Sequence, residues 1–266
     1  MNGRAVAALF RKELLDVSRN KGALFPVILV TAIAVIVPFV VTILIPAVIG
    51  ERLSDDSDLV GISEVVDPAS GLTQDGRVQM FLFQQFLLLF LLTPTTGAMA
   101  TAAHAVIGEK QARTLEPLLA TPISTLELLL AKVIGALVPT LVIAMAGLAL
   151  YVAGIALFAL PGVLAAMVNL RTTVLVFLLG PASALLSLQG AILISSRVND
   201  TRTAQQFGVF IVIPITALLV AQFTGALWLS AFALTAIAAG VLLVWAILAA
   251  VSVRLFDRET ILTRWR

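Results

Sequence analysis

Five long intervals of the chain contain no Lys, Arg, Asp or Glu, and they limit what the chain can fold into more than any other feature. They cover residues 22–50, 78–108, 133–170, 172–196 and 203–253. A helix needs about 20 apolar residues to cross a bilayer, and a charge at the bilayer centre costs on the order of 3 kcal/mol. Lipid is therefore predicted to be the solvent for most of the chain.

The composition supports this prediction and excludes other classes. The chain is 60% apolar and 12% charged, with a mean hydropathy of +1.08, whereas soluble domains are about half apolar and about 25% charged. Its seventeen Lys and Arg form no dense basic face, which argues against nucleic-acid binding. With no cysteine and one histidine, His104, the sequence offers no thiolate chemistry, and we assign no catalytic residue and no metal ligand.

The intervals predict an all-α integral membrane protein with six transmembrane helices in a single domain, residues 1–266. The first four intervals hold one helix each, and the fifth is long enough for two, with a turn at 223–226. The fifth helix contains Pro214, so it could be kinked or partly re-entrant. The predicted spans are residues 24–49, 80–103, 128–158, 172–195, 207–222 and 227–253.

The distribution of Lys and Arg predicts that both termini are cytoplasmic. Cytoplasmic segments are enriched in these residues, and this orientation leaves only Arg52, Arg77 and Arg171 outside. The other fourteen lie inside: Arg4, Arg11, Lys12, Arg19, Lys21, Lys110, Arg113, Lys132, Arg197, Arg202, Arg254, Arg258, Arg264 and Arg266.

Two segments outside the spans have distinct patterns. Residues 3–21 have apolar side chains at helical spacing between cations, which predicts an amphipathic helix in the membrane interface; a basic tail that only sets topology is the alternative.

Residues 51–78 are predicted to be an acidic external loop. Its run of Asp55, Asp56 and Asp58 resembles a cation site, but charge that keeps the loop in water also explains it.

The segment 108–127 is predicted to be a cytoplasmic coupling segment. It places charges on a short helical stretch, breaks at Thr121 and Pro122, and restarts with a capping box formed by Ser124 and Glu127. Such a rigid polar projection can transmit force, although an ordinary amphipathic connector fits the same pattern. The residues predicted to couple to an ATPase are Glu109, Lys110, Arg113, Thr114, Glu116, Thr121 and Pro122.

A second cytoplasmic connection concentrates hydrogen-bonding groups between the fourth and fifth spans. Its polar residues are interpreted either as a second contact for a partner or as a loop that caps two helices. They are Arg197, Asn199, Asp200 and Arg202.

Neutral polar residues occur inside two of the spans, whereas no Lys, Arg, Asp or Glu lies deep in any span. The missing ionisable residue disfavours a proton-driven transporter. The neutral residues are interpreted as lining a translocation path, with hydrogen bonds between helices as the alternative. They are Gln84, Gln85, Thr93, Thr95, Thr96, Ser183, Ser187 and Gln189.

Three motifs in the chain resemble those of type-2 ABC transporter permeases, the membrane subunits of ABC exporters. The first matches E-K-x-x-x-T-L-E-x-L-L-x-T-P-I-S at residues 109–124, the second matches S-R-V-x-D-x-R-x-A-Q-Q at 196–206, and the third is the closing L-F-D-R-E-x-I-L-T-R-W at 255–265. The external loop is short compared with family members that carry a large domain there. Residues 223–226 also leave no room for the helical hairpin that some members carry before the sixth span.

The resemblance implies a permease that forms a homodimer or heterodimer and binds a separate ABC ATPase through a coupling helix at 109–120. No G-x-x-x-x-G-K-[ST] motif occurs in the chain, so ATP and Mg²⁺ are expected on the partner subunit and no cofactor on this one. We expect a multi-pass protein of a bacterial or archaeal plasma membrane. A membrane scaffold that recruits an ATPase without transport is the alternative, and an intramembrane enzyme is disfavoured.

Overall fold

The computed structural model describes residues 3–66, 71–111, 125–198, 203, 206, 213–214, 216–218, 220–222 and 229–255. These residues form helices and no strand, as predicted for an all-α protein. Five helical stretches are long and apolar enough to cross a membrane: Lys21–Ile49, Gln74–Ala102, Leu130–Phe158, Leu170–Ser195 and Ala231–Ser252.

Nine helices are numbered below in chain order over the described residues. Helices α2 and α8 each contain one π-helical turn, at Val40–Leu44 and Leu175–Leu179 respectively. Residues 203, 206, 213–214, 216–218 and 220–222 are also helical. The nine helices are α1 (Gly3–Arg19), α2 (Lys21–Ile49), α3 (Ser57–Val66), α4 (Gln74–Phe86), α5 (Leu89–Gln111), α6 (Thr125–Phe158), α7 (Val163–Met167), α8 (from Leu170–Val174 to Gly180–Arg197) and α9 (Ala231–Leu255).

Capping residues explain several helix ends. The Asn20 side chain accepts a hydrogen bond from Ala23 N at 3.1 Å, which ends α1 and starts α2. Thr73 and Asn169 cap α4 and α8 in the same way, through Gly76 N and Thr172 N. Helix α2 ends where Gly50 adopts φ of 80°, a left-handed conformation that glycine adopts without strain. These caps determine where α1 and α2 end and where α2, α4 and α8 begin.

Both π-helical turns lie next to a proline. Proline has no backbone N–H and its ring crowds the preceding turn, so the helix must accommodate one unpaired carbonyl. After Pro38, the Thr42 hydroxyl donates to Pro38 O at 2.6 Å, a side-chain hydrogen bond that spans the start of the π turn. In α8 the π turn comes directly before Gly180 and Pro181. The two turns let α2 and α8 continue across the bundle in spite of their prolines.

The acidic segment is folded over the start of the second span. Asp56 caps α3 by accepting hydrogen bonds from Asp58 N and Leu59 N, and Asp75 accepts one from Ser54 N at 2.9 Å. Apolar residues of the segment, among them Leu59, pack on Val78 and Phe81 of α4. Part of the predicted loop 51–78 is therefore helical, and α4 already begins at Gln74.

The second span, α4 and α5, occupies the centre of the bundle. In its most apolar window 89% of the residues are buried, compared with 11% in α9. Helices α2, α6 and α8 pack against α5, and α9 packs against α8. Helices α2, α6 and α9, with 22%, 17% and 11% of their windows buried, therefore present most of their apolar surface outward, as expected of helices that face lipid.

Close helix contacts depend on small residues. A Cβ on Gly154 of α6 would lie 2.5 Å from Phe39 Cζ of α2, and Cβ atoms on Gly97 and Gly147 would collide with Thr140 and Thr31 respectively. Small residues at crossing points let helix backbones approach closely, which is the usual source of packing energy between helices in lipid.

Helix α1 packs against the bundle at the end where α6 begins. Its Leu9 lies in a cluster with Ala98, Ala131 and Ala191, and both Leu9 and Val17 are buried. We call this end the α1 end. The opposite end, where α4, α8 and α9 begin, is called the Arg171 end after the residue described below.

Candidate functional site

The coupling residues predicted from the sequence belong to the α1 end, where the structure describes only some of them. Glu109 and Lys110 lie in the last turn of α5, and Arg197 is the last residue of α8. The other residues of the two predicted cytoplasmic contacts lie outside the described residues: Arg113, Thr114, Glu116, Thr121, Pro122, Asn199, Asp200 and Arg202.

The ends of α5 and α8 lie side by side. Ile107 of α5 is completely buried and packs against Ile194 and Val198 at the end of α8. The two predicted contact segments therefore start from neighbouring helix ends, although Gln111 and Arg197 are 86 residues apart in the chain. A partner at the α1 end could touch both.

Most of the predicted path-lining residues in the second and fourth spans are engaged within the bundle. The hydroxyls of Thr95 and Thr96 donate to carbonyls of their own helix, and Ser187 donates to Ser183 O at 2.8 Å. Gln189 of α8 donates instead to the Ser252 hydroxyl of α9, which joins two spans. Thr93 is buried, and within the described part of the chain its hydroxyl has no partner.

Gln84 and Gln85 lie apart from those residues, in a polar cluster at the Arg171 end. The Arg171 guanidinium donates from Nη1 to Gln84 Oε1 at 3.2 Å, from Nη2 to Gln222 Oε1 at 3.0 Å, and from Nε to Leu229 O at 2.9 Å. Gln85 Nε2 donates to Gln222 O at 3.2 Å. We call Gln84, Gln85, Arg171, Gln222 and the Leu229 carbonyl the Arg171 cluster.

The Arg171 cluster ties together segments that are far apart in the chain. Gln84 lies in α4, Arg171 in the first turn of α8, and Leu229 just before α9. Gln84, Gln85 and Gln222 are buried, with exposed fractions of 3%, 0% and 0%. Among the described residues, Gln85 Oε1 and Gln222 Nε2 make no hydrogen bond. The cluster is thus a polar site enclosed by the membrane-spanning helices, with hydrogen-bonding capacity left over.

Two further hydrogen bonds support the cluster from α6. Tyr151 is completely buried, and its hydroxyl donates to Phe83 O at 2.8 Å, next to the break between α4 and α5. Just beyond the end of α6, Leu160 N donates to Gln79 Oε1 at 2.7 Å. These two bonds join α6 to α4 at Phe83 and at Gln79. Gln84 therefore lies on a helix that is fixed to its neighbour at two points.

Sequence reasoning did not identify Arg171, Gln222 or Tyr151 as site residues. Arg171 was counted as an external cation that reports topology, because it lies at the start of a predicted span. A signal was nevertheless present. Arg171 is a single charge between two long charge-free intervals, so no other charged residue lies near it in the sequence to form a hydrated loop.

An apolar cleft of about 110 Å³ opens between α5, α6 and α8. Its walls include Phe90, Pro94, Met145 and Phe177, and the last two are largely exposed. The cleft is suited to lipid chains rather than to polar solutes, because its lining residues are almost all apolar.

Long apolar helices that face outward, with their polar groups bonded to one another inside, define a multi-pass helical membrane protein. The chain belongs to the ABC-2 transporter family: the family model described as ABC-2 family transporter protein matches residues 7–257. It is thus a transport protein of the permease type, the membrane part of an ABC transporter, as the sequence motifs predicted. No curated protein matches the chain.

Proposed function

We propose that the chain is the permease subunit of an ATP-driven ABC exporter, which forms the translocation path and works with a separate ABC ATPase. Membership of the ABC-2 transporter family over residues 7–257 carries this proposal. ATP and Mg²⁺ bind the ATPase subunit, and the complete transporter contains two permease subunits, either identical or different.

The α1 end is the side that receives the ATPase in this proposal. The neighbouring ends of α5 and α8 support it, because both predicted contact segments leave the bundle there. The first segment supplies Glu109, Lys110, Arg113, Thr114, Glu116, Thr121 and Pro122, and the second supplies Arg197, Asn199, Asp200 and Arg202. A basic groove on the ATPase would bind Glu116 through charge-assisted hydrogen bonds.

The proposal includes six spans with both termini in the cytoplasm of a cell whose plasma membrane holds the protein. Val198 packs at the α1 end and Gln222 bonds at the Arg171 end, so the chain passes from one end to the other between them. This supports a sixth span in addition to the five candidates. Helix α1 and the last turns of α9 lie at the same end, which supports termini on one side.

Glu116→Ala tests the coupling role in the purified complex with its ATPase. We expect permease-dependent ATP hydrolysis to fall several-fold while the folded yield of the permease stays unchanged, since Glu116 faces the ATPase in this proposal and surface substitutions usually shift stability by about 0.5 kcal/mol or less. Thr121→Gly combined with Pro122→Gly should act in the same direction. Glu51→Ala, an exposed acid beyond the end of α2, is the matched control. Equal hydrolysis in all variants would make the segment a simple connector.

The complex in lipid vesicles separates transport from a scaffold role. The vesicle contents and both lipid leaflets are analysed by mass spectrometry before and after ATP is added. An exporter changes the distribution of at least one compound with ATP, and Glu116→Ala reduces that change. A scaffold hydrolyses ATP and leaves every distribution as it was.

Cysteine labelling tests the orientation, because the chain has no native cysteine. Ser57→Cys and Gln74→Cys, both at exposed positions of the Arg171 end, should react with an impermeant thiol reagent added to intact cells. Gln111→Cys at the end of α5 should react only after the cells are opened. The reverse pattern would contradict cytoplasmic termini.

A further inference from the structure

The Arg171 cluster joins four elements at the point where they meet. The Arg171 guanidinium donates hydrogen bonds to Gln84 in α4, to the Gln222 side chain, and to the carbonyl of Leu229, two residues before α9. Arg171 itself belongs to the first turn of α8. The donor groups of arginine are held in a rigid planar fork, so the three acceptors are fixed relative to one another. No apolar contact could set the relative positions of these elements with the same directional precision.

The three acceptors share a chemical property that makes this connection reversible. Gln84 Oε1, Gln222 Oε1 and Leu229 O are all neutral oxygens. Water or the oxygen atoms of a passing solute can replace neutral acceptors on a guanidinium, whereas replacing a buried carboxylate would separate an ion pair. Each of these three bonds can therefore be exchanged for a bond to water.

The cluster also borders the apolar core. One turn further along α8 lies Leu175, and in α9 Leu234 and Ala238 are completely buried in the same apolar cluster. The Arg171 cluster is therefore a polar site set into a part of the bundle that is otherwise apolar.

We propose that the Arg171 cluster is the gate that keeps the Arg171 end of the permease closed, and that this end opens when Arg171 exchanges its bonds to Gln84, Gln222 and Leu229 O. That the opening belongs to a transport cycle rests on the proposed function. That the cluster closes the bundle does not depend on it. Arg171 acts here as a positioning residue that holds α4 and α9 against α8.

A single cysteine at Ala238 measures closure of this end. Ala238 is completely buried in α9, and the chain has no other cysteine, so the rate of reaction of Ala238→Cys with a hydrophilic maleimide reports opening. The purified full-length chain is used in lipid nanodiscs. Adding Arg171→Gln should raise the rate about tenfold, the change that about 1.4 kcal/mol gives. Arg171→Lys, which keeps the charge without the planar fork, should give an intermediate rate.

Two controls separate a gate from a general support of the fold. Arg52→Gln removes an exposed cation beyond the end of α2 and should leave the rate at Ala238→Cys unchanged. A cysteine at Ala191, which is buried at the α1 end, should stay unreactive in the Arg171→Gln chain. If Arg171→Gln does not yield folded protein, Gln222→Met, which keeps the cation, carries the same comparison.

The gate is overturned if Arg171→Gln or Gln222→Met leaves the rate at Ala238→Cys at the parental value. It is equally overturned if both variants accelerate the reaction at Ala191→Cys as much as at Ala238→Cys. A second arm adds the ATPase with trapped nucleotide to the parental chain, and the rate at Ala238→Cys should rise toward that of Arg171→Gln. If Arg171→Gln raises the rate at Ala238→Cys but trapped nucleotide does not, the proposed transport cycle is contradicted and the gate is still supported.

Discussion

The two ends of the helix bundle are held together by different interactions. At the Arg171 end, hydrogen bonds from one guanidinium join side chains and backbone of distant segments. At the α1 end, small apolar residues pack closely, including Ala98, Ala184 and Ala191, and Leu9 of α1 covers them. The first set of contacts is directional and exchangeable, whereas the second depends on close fit.

Because of this difference, we expect the two ends to differ in how easily their helices move. Close packing of small side chains fixes the distance between helix axes and allows little movement, because interiors are packed like organic crystals. Hydrogen bonds to neutral acceptors can be replaced by water without leaving a buried group unpaired. A rigid α1 end is suited to receiving force from an ATPase, and an exchangeable Arg171 end is suited to opening.

Gly97→Val should have the largest effect on stability, because it disturbs the close packing next to the α1 end. A Cβ at Gly97 of α5 collides with Thr140 of α6 and lies against Val27 of α2. Overpacking of this kind costs about 3 kcal/mol. Thermal unfolding in detergent measures the loss. Gly240→Val is the matched control, because a Cβ there meets no atom within 4 Å. Equal stability of the two variants would show that the α1 end is not tightly packed.

Gln84→Met should have the next largest effect and should act at the other end. It removes one acceptor of Arg171 while preserving side-chain length, and a hydrogen bond to a charged group contributes about 2 kcal/mol. We expect a lower unfolding temperature together with faster amide exchange at the start of α8 and α9, measured by mass spectrometry. Faster exchange at the end of α5 instead would contradict independent ends.

Tyr151→Phe should destabilise the protein by about 1 kcal/mol, the usual contribution of a neutral hydrogen bond. The loss is limited because Phe83 O, which accepts from the Tyr151 hydroxyl, also accepts from Leu87 N at 3.1 Å. The ring remains in place among Phe39, Phe83 and Phe90. Unfolding by denaturant detects the change. A cost as large as that of Gln84→Met would mean that α6 contributes to closing the Arg171 end as much as the cluster itself.

Ser252→Ala should have the smallest effect, about 0.6 kcal/mol, the mean measured for hydrogen bonds between membrane helices. It removes the partner of Gln189 and so loosens α9 from α8. Ser187→Ala is the control, because that hydroxyl bonds to a carbonyl of its own helix. If Ser252→Ala lowers ATP-driven transport with no change in stability, Gln189 lines the path rather than joining the two helices.

The fold was predictable from local features, and the site was not. The first span was predicted to end at residue 49, where α2 does end, because a run of apolar residues stops at Gly50 and the charged Glu51. The start of α4 lies six residues before the predicted 80, because Thr73 caps it and Asp75 bonds to Ser54 N across the acidic segment. The cap at Thr73 is a local signal, but the bond from Asp75 is a tertiary one.

The Arg171 cluster could not be predicted, because its acceptors come from three regions of the chain. Counting cations gives the side of the membrane on which a charge belongs and takes no account of what surrounds the charge. Gln84 and Gln85 were predicted to line a path or to form hydrogen bonds between helices, but their partners Arg171 and Gln222 are 87 and 137 residues away from them. Such pairings depend on how the helices pack and leave no pattern in a single sequence.

The distance between α6 and α9 at the Arg171 end, measured in the complex with the ATPase, tests the central claim most directly. Spin labels at Leu160→Cys and Phe232→Cys, both exposed, report the separation of these helices by pulsed electron spin resonance. Labelled chain is mixed with an excess of the cysteine-free parent, so that pairs within one subunit dominate. Trapping nucleotide on the ATPase should lengthen the distance, while a pair at the α1 end stays unchanged. An unchanged distance at the Arg171 end, with nucleotide trapped, would contradict the account.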